Sequence, residues 1–163
     1  MPSPTPTIPL PYTLLLTIFE PVLALSGALN ALLSPHTLLS ATLPSLPYTP
    51  ALRPLMVHLS GSWLLLAYHD FFVLRSERYR NDIALWRHTL LASSLSDLAY
   101  ISGLVLSMGW RRFLGVKGWD VMTAVTVITT VVPFVGKLCF LAGVGLPKKE
   151  RRGVVVERKW KRK

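Results

Sequence analysis

The sequence predicts an all-α integral membrane protein built as a four-helix bundle, and three observations carry that reading. Four apolar runs are each long enough to cross a ~30 Å hydrocarbon core, which takes about 20 helical residues. Charged residues make up 16% of the 163 positions, against about 25% in a soluble domain, and they gather between those runs. The few ionisable side chains left inside the runs are expensive in lipid. Each needs a partner, a water-filled cavity or a proton.

Residues 1–11, MPSPTPTIPLP, alternate proline with small residues and carry no charge, so they read as an extended, disordered leader. Lys and Arg are absent before Arg53; without a positive n-region the leader is expected to stay uncleaved. Span one is Tyr12 to Leu33 (12–33), interrupted by Glu20-Pro21, where proline removes a backbone donor and kinks the helix. Ala24, Gly27, Ala28 and Ala31 then offer a small-residue face for close helix approach.

The loop 34–53 holds Pro35, Pro44, Pro47 and Pro50, and its apolar middle suits the membrane surface. Span two, 54–74, is rich in polar groups: His58, Ser60, Ser62, Trp63, Tyr68, His69 and Asp70. A short charged connection makes spans two and three antiparallel neighbours. Span three, 84–108, carries Ser93, Ser94, Ser96, Asp97, Tyr100 and Ser102, too many polar groups for a lipid-facing helix. The loop from Gly109 to Asp120 holds Trp110 and Trp119, which fit an interfacial belt. Span four, 121–146, opens on a β-branched run, but its length with Pro133 and Gly136 inside favours a kinked membrane helix over a strand. Residues 147–163 form a basic cytosolic tail. The twelfth to the last residue of the spans, 12–146, is one domain.

Formal net charge is +10, yet nine of the eighteen basic residues lie in the last sixteen positions. A basic tail beside a span meets anionic lipid headgroups rather than nucleic acid. With four spans, thirteen basic residues share the side of the termini and four, Arg53, Arg111, Arg112 and Lys117, lie opposite. The positive-inside rule places both termini in the cytosol. Lys159 and Lys161, five and three from the end, resemble the dilysine signal that returns membrane proteins to the endoplasmic reticulum.

Counting inward from the cytosolic ends, Glu20 and Lys137 both lie about nine residues deep, or ~13 Å at 1.5 Å per residue. They are expected to form an inter-helical ion pair. Asp97 and His58 lie deeper and form a second expected pair, whereas Asp70 is expected to bridge to Arg75 near the headgroups. Read as one pocket, Glu20 or Asp97 is the candidate acid and His58 or Asp97 the candidate base. Trp63, Tyr68 and Tyr100 offer π faces, and Lys137 completes the polar set. A carboxyl group in a low-dielectric interior can stay protonated at neutral pH.

Three functions fit: binding of a hydrophobic small molecule or membrane lipid, an acid–base isomerase or cyclase for a sterol- or terpene-like substrate, and a structural subunit of a membrane complex. A transport path through four spans would need a homo-oligomer to widen it. There is no HxxxH, HExxH, nucleotide loop or GxSxG elbow, and the lone Cys139 offers neither a thiolate cluster nor an internal disulfide. No metal or cofactor is expected.

Phe19-Glu20-Pro21 with Gly27, Val73-Leu74-Arg75, Asp82, Trp86-Arg87, Asp97, Trp119 and the ending Phe140-Leu141-Ala142-Gly143-Val144-Gly145 together resemble a family of small four-span membrane proteins of filamentous fungi, a domain of unknown function. The resemblance covers about residues 8–147 and implies topology, with no activity attached. In outline alone the chain is similar to the emopamil-binding group of sterol isomerases and lipid-binding receptors, which also place acids among four short spans.

Overall fold

The computed structural model describes residues 7–43 and 46–146. The tail 147–163, with Lys159 and Lys161, and the leader up to residue 6 lie outside the described residues. Among those described the fold is all-helical. Helix α1 runs Leu10–Leu33, α2 Pro35–Thr42, α3 Arg53–Tyr68, α4 Ile83–Met108, α5 Trp110–Leu114 and α6 Val121–Leu141. Three of them, α1, α4 and α6, are long and apolar enough to cross a membrane. In their most apolar stretches only 28%, 28% and 22% of the residues are buried. The outward faces carry many exposed apolar side chains, Leu106 at 87% and Leu95 at 63% exposure among them.

Two helices change pitch. Within α1, residues Leu15–Phe19 form a π turn that ends where the Glu20 amide donates to the Leu15 carbonyl. Pro21 follows; it has no N–H, and a wider turn keeps its ring off the carbonyl an α-helix would place beneath it. Past Tyr68, α3 continues as a second π turn, His69–Val73, closed by the Leu74 amide on the His69 carbonyl at 3.2 Å. The two π turns pack against each other, and each adds one residue per turn. The polar side chains just beyond or inside them, Glu20 and Asp70, are thereby turned to the interior.

Helix α1 lies along α3, and α4 along α6, with α6 also touching the π turn of α1. The small-residue face is used: Ala28 and Ala31 are buried, and a Cβ on Gly27 would stand 2.9 Å from Trp63 Cε3. At the end holding the described termini, Ile8, Leu16, Leu74, Trp86, Leu90 and Phe140 make one apolar cluster. Tyr12 packs edge-on to Phe140 at 5.2 Å, and its hydroxyl donates to the Val144 carbonyl at 2.8 Å. The disordered-leader expectation is therefore corrected for residues 8–11. Ile8 is buried and the helix starts at Leu10, because this apolar end needs a cover. Span four is corrected too: α6 stops at Leu141, where Gly143 and Gly145 take φ of 76° and 72°, a left-handed exit open to glycine.

Asp82 and Asp120 cap α4 and α6, accepting from the amides of Leu85 at 3.0 Å and Thr123 at 2.7 Å. The Thr123 amide, ahead of its hydroxyl and the Arg112 guanidinium, holds the Asp120 carboxyl below its ordinary value. Arg112 bridges Asp120 at 3.0 Å, and Trp119 Nε1 donates to the Arg112 carbonyl at 2.8 Å. These bonds fold 109–120 back over the start of α6.

Candidate functional site

Lys137 sits on α6 one turn after Pro133 and is wholly enclosed. A bare ammonium in such a place costs several kcal/mol of desolvation, so its protons must go to anions. They do. Nζ donates to Glu20 Oε1 on α1 and, at 2.7 Å, to Asp97 Oδ2 on α4. One cation thus ties three helices together. Asp70 is buried in the π turn of α3, within electrostatic range of Lys137, Glu20 and Asp97. Its Oδ1 lies 3.4 Å from His69 Nδ1.

Beside this cluster lies a half-open cavity of about 480 Å³, bordered by α1, α2, α3, α4 and α6. That volume is within the roughly 300–1,000 Å³ typical of small-molecule sites. Glu20 and Asp97 stand on its wall; Trp63 and Tyr100 line it as an edge-to-face pair with centroids 6.0 Å apart. Helix α2, in the proline-rich loop, contributes Thr37, Leu38 and Thr42 to the wall, and is held in place by Ser107 donating to the Thr42 carbonyl at 2.9 Å. The loop expected to lie on the membrane surface thus also walls the cavity.

The structure brings together Glu20, Asp97, Lys137, Trp63 and Tyr100, with Lys137 behind the wall rather than on it. It does not bring in His58 or Tyr68. His58 is exposed on α3, two residues from the buried Ser60 and so rotated about 200° from it. The expected Asp97–His58 pair is corrected: Asp97 takes Lys137 as its partner. Tyr68 is 60% exposed and stacks on Phe72 at 5.1 Å. The expected Asp70–Arg75 bridge is corrected as well, because the π turn sends Asp70 inward while Arg75 lies over the Phe71 ring at 4.8 Å. Depth counting missed Asp70 as a member of the cluster, and no sequence signal marks the π turn that recruits it. Among the described residues no group of His, Cys, Asp and Glu is arranged to hold a metal ion.

Several hydroxyls in the walls are tied to their own helices. Ser62 donates to the His58 carbonyl at 3.1 Å, Thr129 to Val125 at 2.7 Å and Thr130 to Thr126 at 2.8 Å. Each satisfies its proton four residues back. For the same reason Ser102, bonded to the Leu98 carbonyl at 2.7 Å, can be exposed; a serine in a span does not have to face inward.

Residues 5–147 match the DUF7704 family, described as a domain of unknown function. The chain belongs to that family, which takes in both π turns, the Glu20–Lys137–Asp97 bridge and every residue of the cavity wall. No curated protein and no solved structure matches the chain.

Proposed function

We propose that the chain is a multi-pass membrane protein that binds a hydrophobic small molecule or lipid in the cavity between its helices. The carrying observation is a cavity of about 480 Å³ with two carboxyl groups on its wall, both held by one enclosed lysine. Ionised groups in a span are costly and mark functional sites by default, and these open onto a space of ligand size instead of being packed away. In this reading α1, α4 and α6 cross the membrane, and α3 with its π turn crosses as the fourth member of a helical bundle. Leu64, Leu65 and Phe72 on the outside of α3 face lipid as the other helices' apolar residues do. Thirteen basic residues on one side against four on the other put the termini in the cytosol, and the terminal lysines favour the endoplasmic reticulum.

A second reading, an acid–base isomerase or cyclase, draws on Glu20 and Asp97 standing on one cavity wall beside aromatic faces. It has to work without His58, which lies outside.

The test is native mass spectrometry with lipid extraction of the full chain purified in a nonionic detergent, wild type beside Asp97→Asn. Binding is supported by a stoichiometric small ligand that the variant loses; a ligand chemically altered by the wild type alone supports the enzyme. Bulk phospholipid alone in both would leave the bridge as packing within a membrane assembly and overturn the proposal.

A further inference from the structure

We infer that the cavity selects an amphiphile with a protonated amine as its head group. This rests on the binding reading above and names the chemistry of the head. Two independent observations converge on it.

The first is charge. The charged residues lining the cavity are Glu20 and Asp97, and the ammonium they share lies behind them, fully enclosed. With Asp70 close by, one lysine stands among three carboxyl groups. Lys137 engages Glu20 through Oε1. The other oxygen, Oε2, is buried with no hydrogen-bond partner, in a side chain that borders the cavity and belongs to a residue 9% exposed. With two carboxyl groups on the wall and no cationic side chain among the described lining residues, the cavity attracts a cation and repels an anion.

The second is the polarity of the remaining wall. Ser62, Thr129, Thr130 and Thr42 all border the cavity, and each gives its single proton to a carbonyl of its own helix. What they turn to a guest is lone pairs. Asn30, Ser26, Ser96, Thr37, Thr126 and Tyr100 also border the cavity and carry donors, so the wall is mixed. The four hydroxyls whose protons are already given favour a head that donates several N–H bonds over an alcohol, which donates one and brings lone pairs of its own. The Trp63–Tyr100 pair adds ring faces that attract an ammonium. The apolar remainder of the ligand would lie along Leu23, Leu59, Leu66, Met122 and Val125.

The experiment titrates the full chain, in nonionic detergent at pH 7, with dodecylamine, dodecyltrimethylammonium and 1-dodecanol. Stoichiometry is read by native mass spectrometry and affinity by tryptophan fluorescence. Dodecylamine is expected to saturate at one per chain and to bind at least about tenfold more tightly than dodecanol, with the quaternary ion between them because it has charge but no N–H. Asp97→Asn should remove most of the preference for the amine, read as the ratio of the dodecylamine and dodecanol affinities measured on the same variant. If dodecanol saturates as tightly as dodecylamine on the wild type, the amine inference is overturned while the binding site stands; this comparison needs no variant. If no probe saturates, the binding reading falls and this inference with it.

Discussion

Lys137 and Asp97, forty residues apart, meet across the α4–α6 contact with Nζ 2.7 Å from Oδ2. Because the same ammonium also serves Glu20, removing the cation and removing one anion are unequal injuries. Lys137→Met strands two carboxyl groups at once, and deleting one partner of a buried pair costs about 3–5 kcal/mol. Glu20→Gln leaves Lys137 still bonded to Asp97 and should cost clearly less. The double variant Glu20→Gln/Lys137→Met should recover only part of the loss, and adding Asp97→Asn should recover more. Thermal unfolding and monodisperse yield in detergent measure the order; Lys137→Met no worse than Glu20→Gln would sink the shared-cation account.

The Asp120 cap should give a pH signature that lies outside the helices. Its folded carboxyl titrates below the 3.8 of a free side chain, chiefly through the Thr123 amide. A lowered folded value means the contribution is complete above the unfolded value and is lost as pH falls through the folded one. Asp120→Ala should therefore lower the unfolding temperature by a constant amount between neutral pH and about pH 5, and the gap to wild type should close below about pH 4. A gap that persists unchanged into strong acid would show that the carboxylate is not the cap.

Gly27 on α1 stands directly against the Trp63 indole of α3. An added methyl would lie 2.9 Å and 3.0 Å from Trp63 Cε3 and Cζ3, so the indole must move, and its free direction is the cavity it lines. Gly27→Ala gains up to ~1 kcal/mol of helix propensity but overpacks by about 1–3 kcal/mol. A net loss of about 0–2 kcal/mol should accompany a larger loss of ligand. Retention of the co-purified ligand, compared between Gly27→Ala and wild type by mass spectrometry, decides it. Undiminished ligand would mean that Trp63 does not shape the site.

The sequence makes depth legible and azimuth obscure. Glu20 and Lys137 could be matched from 117 positions apart because residue counting fixes height along a helix. It does not fix which way a side chain points. Counting pairs His58 with Asp97, but His58 is on the exposed face of α3 and Asp97 shares the ammonium of Lys137 with Glu20; Tyr68 fails similarly. The π turns are the second gap. Pro21 announces a disturbance in α1, but nothing in His69–Val73 announces one in α3, so Asp70 could not be drawn from the headgroups into the cluster. Nor does proline-rich composition reveal that Pro35–Thr42 is a helix walling a cavity. Three of the four expected apolar helices are readable from one-dimensional runs; the expected span 54–74 is not among the helices long and apolar enough to cross a membrane, and α6 ends at Leu141 rather than 146.

The last expectation concerns the joint between the two ends of the described chain. Tyr12 donates to the Val144 carbonyl at 2.8 Å and packs edge-on against Phe140, which in turn faces Trp86 at 5.6 Å. Tyr12→Phe keeps the ring contact and drops only the hydroxyl, so it should cost about 0.5–1.5 kcal/mol, the net worth of one hydrogen bond. Tyr12→Ala removes the ring as well; because Tyr12 is only partly buried against the cluster, it should cost about 1–3 kcal/mol, less than a full core truncation. Gly143→Ala, at φ 76°, forces a β-carbon into the left-handed region at about 1–2 kcal/mol and misaligns the very turn that presents the Val144 carbonyl. Gly143→Ala and Tyr12→Phe should therefore be less than additive when combined. Thermal unfolding of the two single variants and the double variant tests the coupling; full additivity would mean that the Gly143 turn does not position the acceptor for Tyr12.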